Sequence, residues 1–369
     1  MPGLRRRLRS DERVARTAAG GARCGWRMRR WLLATALLLA SPALLACPLC
    51  LGAGRPSTAQ QLADAEQVVL AVPTAQGGSL HVVAAIKGPV APGTGIAGSD
   101  VRFGGVPSVG KPQLLARADA SGTWAGLGAI GTEHVGWLRR LAAENRPAES
   151  RAEVPPPSFA PRLIVPRNTG PGQRQPEALA AAWQARIALV LPYLQHREPL
   201  AAEIAYSELA SAPYTALRTA RPQLAVARIR EWVADPALTA RQPLYLLLLG
   251  IAGNAGDAAM LERRLEAVWT ARDATLLAPL IAADLELRGA SRMVWVDEKY
   301  LRDPGRSTRE IDAALLALSV HGQANAAIPR ARVIESYRRF IQSNPPLAGL
   351  VAPDLAAWQY WDAVPEYLA

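Results

Sequence analysis

The hydrophobic rhythm of the chain changes once, and that change bounds the fold. Up to Ala143 apolar residues recur at every second position in short runs, whereas from Ala178 onward they recur about every 3.6 residues. Alternation of that kind faces a pleated sheet, and the longer period faces one side of a helix. Between them, Glu144 to Glu177 holds eight prolines, with Pro155-Pro156-Pro157 in a row. Such a stretch cannot carry a regular hydrogen-bond ladder and reads as an extended linker. The expected fold class is therefore α+β, a small β-barrel over 47–143 followed by an all-α region over 178–369, with 144–177 as linker and 1–46 as an export signal.

Within the first region, strands are expected at Gln67–Val72, Ser79–Ile86, Asp100–Phe103, Gln113–Ala116 and Thr123–Leu127, punctuated by turns such as Gln76-Gly77-Gly78 and Lys87-Gly88-Pro89. Five short strands suit a small barrel or sandwich. Helices are expected before them at Ser57–Ala65 and after them at Thr132–Ala143.

In the second region Leu179, Trp183, Ile187, Leu191 and Leu194 fall on one helical face, as do Leu261, Leu265 and Val268, then Ile311, Leu315 and Leu318, then Val333, Tyr337 and Phe340. Ser307 with Glu310 forms a capping box, Pro213 and Pro329 suit first turns, and Gly253, Gly289 and Gly322 follow helix ends. Leu244 to Leu249 is apolar all round, as in a helix buried between neighbours. Helix pairs begin near Arg241, Asp273 and Ser307, a step that a solenoid of stacked hairpins explains and an irregular α-bundle also accommodates.

Two resemblances follow. The C-terminal half, with Ala201-Ala202-Glu203-Ile204-Ala205-Tyr206, Ala212-Pro213-Tyr214, Leu246 to Gly250 and Gly256-Asp257, resembles HEAT-repeat-like segments of exported bacterial proteins. The N-terminal half, with Cys47-Pro48-Leu49-Cys50, Gln61 to Ala71 and Val82 to Gly88, resembles the opening of netrin-like, OB-type domains found in metalloproteinase inhibitors. These resemblances imply an OB-type barrel and a HEAT-like solenoid. No third thiol follows Cys47 and Cys50 for either to bridge, so the fold is carried over and protease inhibition stands as the weakest functional alternative.

The formal charge of +11 looks like a signal for nucleic acid until it is located. Residues 1–46 contain ten Arg against Asp11 and Glu12, a net +8, which leaves +3 for everything after them. A nearly balanced surface gives no electrostatic footprint for a polyanion. The leader is more informative. Arg29-Arg30 precedes an apolar run from Trp31 to Leu45 and then Ala46-Cys47, the layout of a cleaved signal peptide, and Met28 starts a complete one so that 1–27 reads as an over-long start. Arg29-Arg30-Trp31-Leu32-Leu33 also fits a twin-arginine core. Leu44-Leu45-Ala46-Cys47 resembles a lipobox, which implies lipidation of Cys47 and a membrane-anchored envelope protein; plain cleavage beside Cys47 is the alternative.

The most specific chemistry is the Cys47/Cys50 pair, which supports a lipid anchor, a local disulfide, half a metal site or redox cycling; Leu51 stands where haem attachment requires His. Gly126-Leu127-Gly128-Ala129-Ile130-Gly131 matches G-x-G-x-x-G but reads as a Gly-rich connection, because no second parallel strand ending in an acid follows. His81, His134, His196 and His321 lie at no mutual metal-ligand spacing and read as surface or internally satisfied histidines. Trp183, Trp232, Trp269, Trp295, Trp358 and Trp361 sit at helical spacing and read as packing, with Trp358, Tyr360, Trp361 and Tyr367 as an end cap or an aromatic patch for a partner. No serine elbow, H-E-x-x-H helix or phosphate loop occurs. The expectation is thus a non-catalytic, exported envelope lipoprotein without a cofactor, binding an unidentified protein through its helical solenoid. The runner-up is a metal or redox accessory protein acting through Cys47 and Cys50.

Overall fold

The computed structural model describes residues 56–74, 78–104, 110–144, 176–323 and 326–368, with the backbone alone for 176–180. Residues 1–55, which include Cys47, Cys50 and the expected export signal, and most of the Pro-rich stretch lie outside them. The fold is mixed α/β: a six-stranded sheet curled into a half-barrel, and a mostly helical C-terminal part. Among the described residues no helix is long and apolar enough to cross a membrane.

Helix α1 (Thr58–Asp64) opens on a capping box in which Ser57 and Gln60 satisfy each other's backbone amides. Strands β1 (Gln67–Pro73), β2 (Ser79–Lys87), β3 (Gly95–Ala97), β4 (Val101–Phe103), β5 (Gln113–Arg117) and β6 (Trp124–Ala129) follow. Their order is β3-β2-β1-β5-β6-β4, antiparallel except for the β4–β6 pair. β3 is a strand that the alternation does not reveal, since it is three residues long.

β1 is buried on both faces. Val69 and Ala71 join Leu80, Val82, Ile96, Val101, Leu115 and Trp124 in a cluster made of sheet residues alone. Val68 and Leu70 point the other way and enter the large helical core with Leu114 and Ala116. β2 serves both clusters from residues of one parity, Leu80 and Val82 on the first and Ala84 and Ile86 on the second. The register explains it. Leu70 pairs with Ala84 and Ala71 with Val82, which leaves exposed Val83 as an extra bulge residue that turns the strand's buried face over.

Helix α2 (Val135–Ala143) lays Trp137, Leu138 and Leu141 into the shared core and packs on β2, where Arg139 Nε donates to the Ala85 carbonyl at 2.8 Å. The helical part continues with α3 (Pro176–Val190), α4 (Pro199–Ala210), α5 (Tyr214–Thr219), α6 (Val226–Ala234), α7 (Gln242–Ala252), α8 (Ala255–Ala271) and α9 (Leu277–Arg288). A short α10 (Met293–Val296), α11 (Thr308–His321), α12 (Arg330–Ser343), α13 (Ala352–Ala357) and α14 (Val364–Leu368) complete it. Ser307 and Glu310 close the expected box, and Gly253, Gly289 and Gly322 cap α7, α9 and α11. Pro213 and Pro329 stand one step earlier than first-turn positions, as the N-caps of α5 and α12.

Helix α7 is buried all round, as its unbroken run of leucines requires, and α9 packs against both α7 and α11. Gly250 sets how closely α7 and α9 approach, because a Cβ there would lie 2.6 Å from the Ala283 Cα.

One ion pair ties the sheet's closing helix to the helical part. Arg186 on α3 lies 2.6 Å from Glu208 on α4, with both side chains almost fully buried. The same guanidinium donates to the carbonyls of Leu141, at 3.2 Å, and Glu144, capping the C-terminus of α2. Arg186→Met removes the cation paired with a buried carboxylate, and is expected to lower unfolding free energy by about 3–5 kcal/mol. Arg186→Met combined with Glu208→Leu is expected to recover part of that loss, the remainder reflecting the lost cap. Urea midpoints of the three chains check it; a double variant no more stable than Arg186→Met would contradict the stranded-charge explanation.

Candidate functional site

Two short turns meet where the sheet and the helices join. The first is the single helical turn Thr132–His134 that carries the chain from β6 into α2. The second runs from the turn Leu191–Tyr193, after α3, to Glu198, which occupies the N-cap of α4. Tyr193 stacks on Trp137 with ring centroids 4.1 Å apart, and the Trp137 indole N–H donates to the Leu189 carbonyl at 2.9 Å, so the second turn is pinned against α2.

This docking gathers Glu133, His134, His196 and Glu198. One ligand-capable atom from each of Glu133, His134 and Glu198 lies within 4.8 Å of the others. The His134 ring sits edge-on to that of His196 with centroids 5.0 Å apart, and to Tyr193 at 5.7 Å. His134 is 4% exposed, and its Nε2 is buried with no hydrogen-bond partner, 3.7 Å from a Glu133 oxygen. Burial lowers the His134 pKa from its ordinary value, with Glu133 pulling the other way, which favours a neutral ring. His196 Nδ1 accepts the Glu198 backbone N–H at 3.1 Å, which leaves its proton on Nε2 when neutral and makes it a wall rather than a lone-pair donor.

The expectation that the four histidines are independent of one another is corrected here for His134 and His196. His81 is exposed on β2, as expected. His321 is the satisfied type: fully buried, with Nε2 2.9 Å from the Ala282 carbonyl, which can only accept, so the proton sits on Nε2. Tyr214 lies beside it and donates to Glu286, which also pairs with Arg218 at 2.8 Å. Burial pushes Glu286 up to about 7, against the pull of that guanidinium.

Of the glycine-rich stretch, Gly126 and Leu127 lie in a strand as expected, β6 runs two residues further to Ala129, and Ile130-Gly131 connect it to the turn before α2. Phe103 covers Gly126, where a Cβ would fall 2.5 Å from the ring, and Gly128 has φ +136° at the irregular step of the β5–β6 ladder. Gly131 leaves room for the Glu133 carboxylate to fold back over the turn. Among the tryptophans, Trp183 is buried, Trp232 packs on Tyr245, Trp269 lies between Lys299 and Arg306, Trp295 stacks with Arg292 and Trp358 lies on Tyr337. Trp361 is the exception at 59% exposed. Cys47 and Cys50 are outside the described residues, so the thiol expectations are untouched by this geometry. No family model, curated protein or solved structure matches the chain.

His321 supplies a pH test of the buried core. Burial lowers its pKa from 6.5 to about 4, so the folded state binds fewer protons than the unfolded chain between those values. Its contribution is fully present above pH 6.5 and is lost as pH falls toward 4, an effect of about 3 kcal/mol. Urea midpoints across pH 4–7 are expected to fall more steeply for the wild type than for His321→Gln, which keeps a donor for the Ala282 carbonyl. Parallel curves would rule out the assignment.

Proposed function

We propose that this is an exported envelope protein that holds a first-row divalent cation between its sheet and its helices, with Glu133, His134 and Glu198 as ligands. The supporting observation is the buried, unpartnered His134 Nε2 beside Glu133, on a ring that lies within ligand distance of both Glu133 and Glu198. A buried imidazole nitrogen without a partner costs about 1–3 kcal/mol unless something occupies it. Zn²⁺ or Mn²⁺ binds at about 2.0–2.2 Å, so its ligand atoms lie up to about 4 Å apart and small side-chain rotations close the present set around the ion. A nitrogen ligand with two oxygens favours Zn²⁺ over Mn²⁺ and both over Ca²⁺ or Mg²⁺. Three protein ligands leave coordination positions open for a small molecule or a partner's side chain.

This reading moves the metal role from the thiols to the seam, and one experiment separates the two. In isothermal titration of the full chain with Zn²⁺, Cys47→Ser/Cys50→Ser is expected to bind like the wild type. His134→Gln and Glu198→Gln are each expected to weaken binding by more than about 100-fold, beyond the loss typical of outer-shell partners. Loss of binding in the thiol variant with retention in His134→Gln would establish the thiol reading instead.

The scaffold reading keeps one observation of its own. Four of the six exposed large apolar residues, Trp361, Val364, Tyr367 and Leu368, fall within the last turns of the described chain. Together with the side-by-side packing of α7, α9 and α11, this supports a HEAT-like stack that offers its C-terminal end to a protein partner, and the curled sheet is compatible with a netrin-like, OB-type module. A photocrosslinker at position 361 is expected to give one reproducible adduct in envelope preparations, and one at exposed Arg228 none. Equal labelling from both positions would remove the support.

A further inference from the structure

We infer that the groove between α6 and α8 binds an amphipathic monocarboxylic acid, its carboxylate on Arg264 and its apolar body against Val233, Pro236, Met260 and Leu276. The groove has a volume of about 600 Å³ and is walled by those four apolar residues, with Arg230, Asp235, Gln242, Asp257 and Arg264 supplying polarity. A volume of that order suits a small organic ligand.

The polar groups are unequal. Arg230 is spent: it forms a two-pronged pair with Asp257 at 2.8 and 2.9 Å. Asp235 is spent as well, capping the following turn through the Ala237 N–H. Gln242 is buried and fixed, because its Nε2 donates to the Trp232 and Val233 carbonyls and so aims Oε1 at Arg264. Arg264 is different. Both its terminal nitrogens reach only that one Gln242 oxygen, at 3.5 Å each, and among the described residues it has no carboxylate partner.

A half-buried guanidinium without a carboxylate partner is open to an anion, and Arg264, held only by two long contacts to one amide oxygen, lines a groove whose other wall is Val233, Pro236, Met260 and Leu276. The charge count selects the class. Arg230 is paired with Asp257 and the exposed Asp235 brings the lining charge to zero, so among the described residues Arg264 is the one lining cation without a carboxylate partner and the surroundings favour a monoanion over a dianionic phosphate. Burial lowers the pKa of Arg264, with no neighbouring charge offsetting it, in keeping with an uncompensated cation. The site is independent of the seam, so both can hold or fail separately.

The test is calorimetric titration of the full chain, in EDTA, with sodium octanoate, octan-1-ol and inorganic phosphate. Octanoate is expected to bind one site, octanol at least about 10-fold more weakly, and phosphate more weakly still. Arg264→Gln is expected to weaken octanoate about 10–100-fold, and Arg264→Lys, which keeps the charge without the fork, less. Met260→Glu, at a half-buried position, tests the groove without touching Arg264 and is expected to weaken octanoate by at least about 10-fold. Equal binding of octanol and octanoate, tighter binding of phosphate, no saturable octanoate binding at millimolar concentration, or unchanged affinity in a folded Arg264→Gln would each overturn the assignment.

Discussion

The Arg186–Glu208 pair is the constraint from which the seam follows. Both side chains are almost fully buried, so each charge depends on the other for its principal ionic partner. The pair fixes α3 against α4, and the same guanidinium holds the last carbonyls of α2. Three helices are thereby set at one point, and two of them carry the candidate ligands at their opposite or following ends. His134 stands at the start of α2 and Glu198 at the start of α4, so their separation is a consequence of how those helices are locked. The Trp137–Tyr193 stack adds the second point of contact that a hinge on one ion pair would lack.

Arginine plays the same part through the helical region. Asp284, nearly inaccessible, is held by Arg288 at 3.0 Å and Arg292 at 2.6 Å, and Glu310 by Arg306 at 2.9 Å. The guanidinium fork suits this work because it satisfies several acceptors at once where an ammonium satisfies them one by one. Much of the arginine charge after residue 46, where the formal net is only +3, is thus spent on buried carboxylates. Arg264 stands out against this background, since it is half-buried like the others and faces a groove in place of a carboxylate.

Much of the fold was legible in the sequence because short-range physics decides it. The short, β-branched apolar run from Gln67 to Val72, bounded by turn residues, specifies a strand buried on both faces, and the Ser307/Glu310 box specifies a helix start. β3 escaped because three residues are too few to show a period, and the extent of the sheet's curl escaped because it depends on a bulge at Val83 that alternation alone conceals. The glycine motif shows a different limit, since the strand expected to stop at Leu127 runs on through Gly128 and Ala129. Its glycines answer to Phe103 and to a positive φ, both tertiary facts. The candidate metal site was invisible for a related reason: Glu133-His134 and His196-x-Glu198 lie on either side of the Pro-rich stretch, and no spacing rule connects ligands brought together by docking.

The two buried histidines then show why burial alone does not mark a site. His321 and His134 are each held neutral by desolvation, and a tally of buried polar residues would rank them together. Their partners differ. His321 spends its proton on the Ala282 carbonyl inside the helical core, with the Tyr214 hydroxyl 3.5 Å from its Nδ1, so the fold itself supplies partners for the ring. His134 is also desolvated but has no return from the fold at Nε2, which has no hydrogen-bond partner and lies 3.7 Å from an oxygen of the largely exposed Glu133, with Glu198 also within ligand distance of the ring. A neutral nitrogen between two anions is poorly placed as a hydrogen-bonding element and well placed as a ligand, because a cation satisfies all three groups where a proton satisfies two. The distinction lies in what remains unpaid at each ring, and only at His134 does that remainder point outward, toward something the chain does not itself provide.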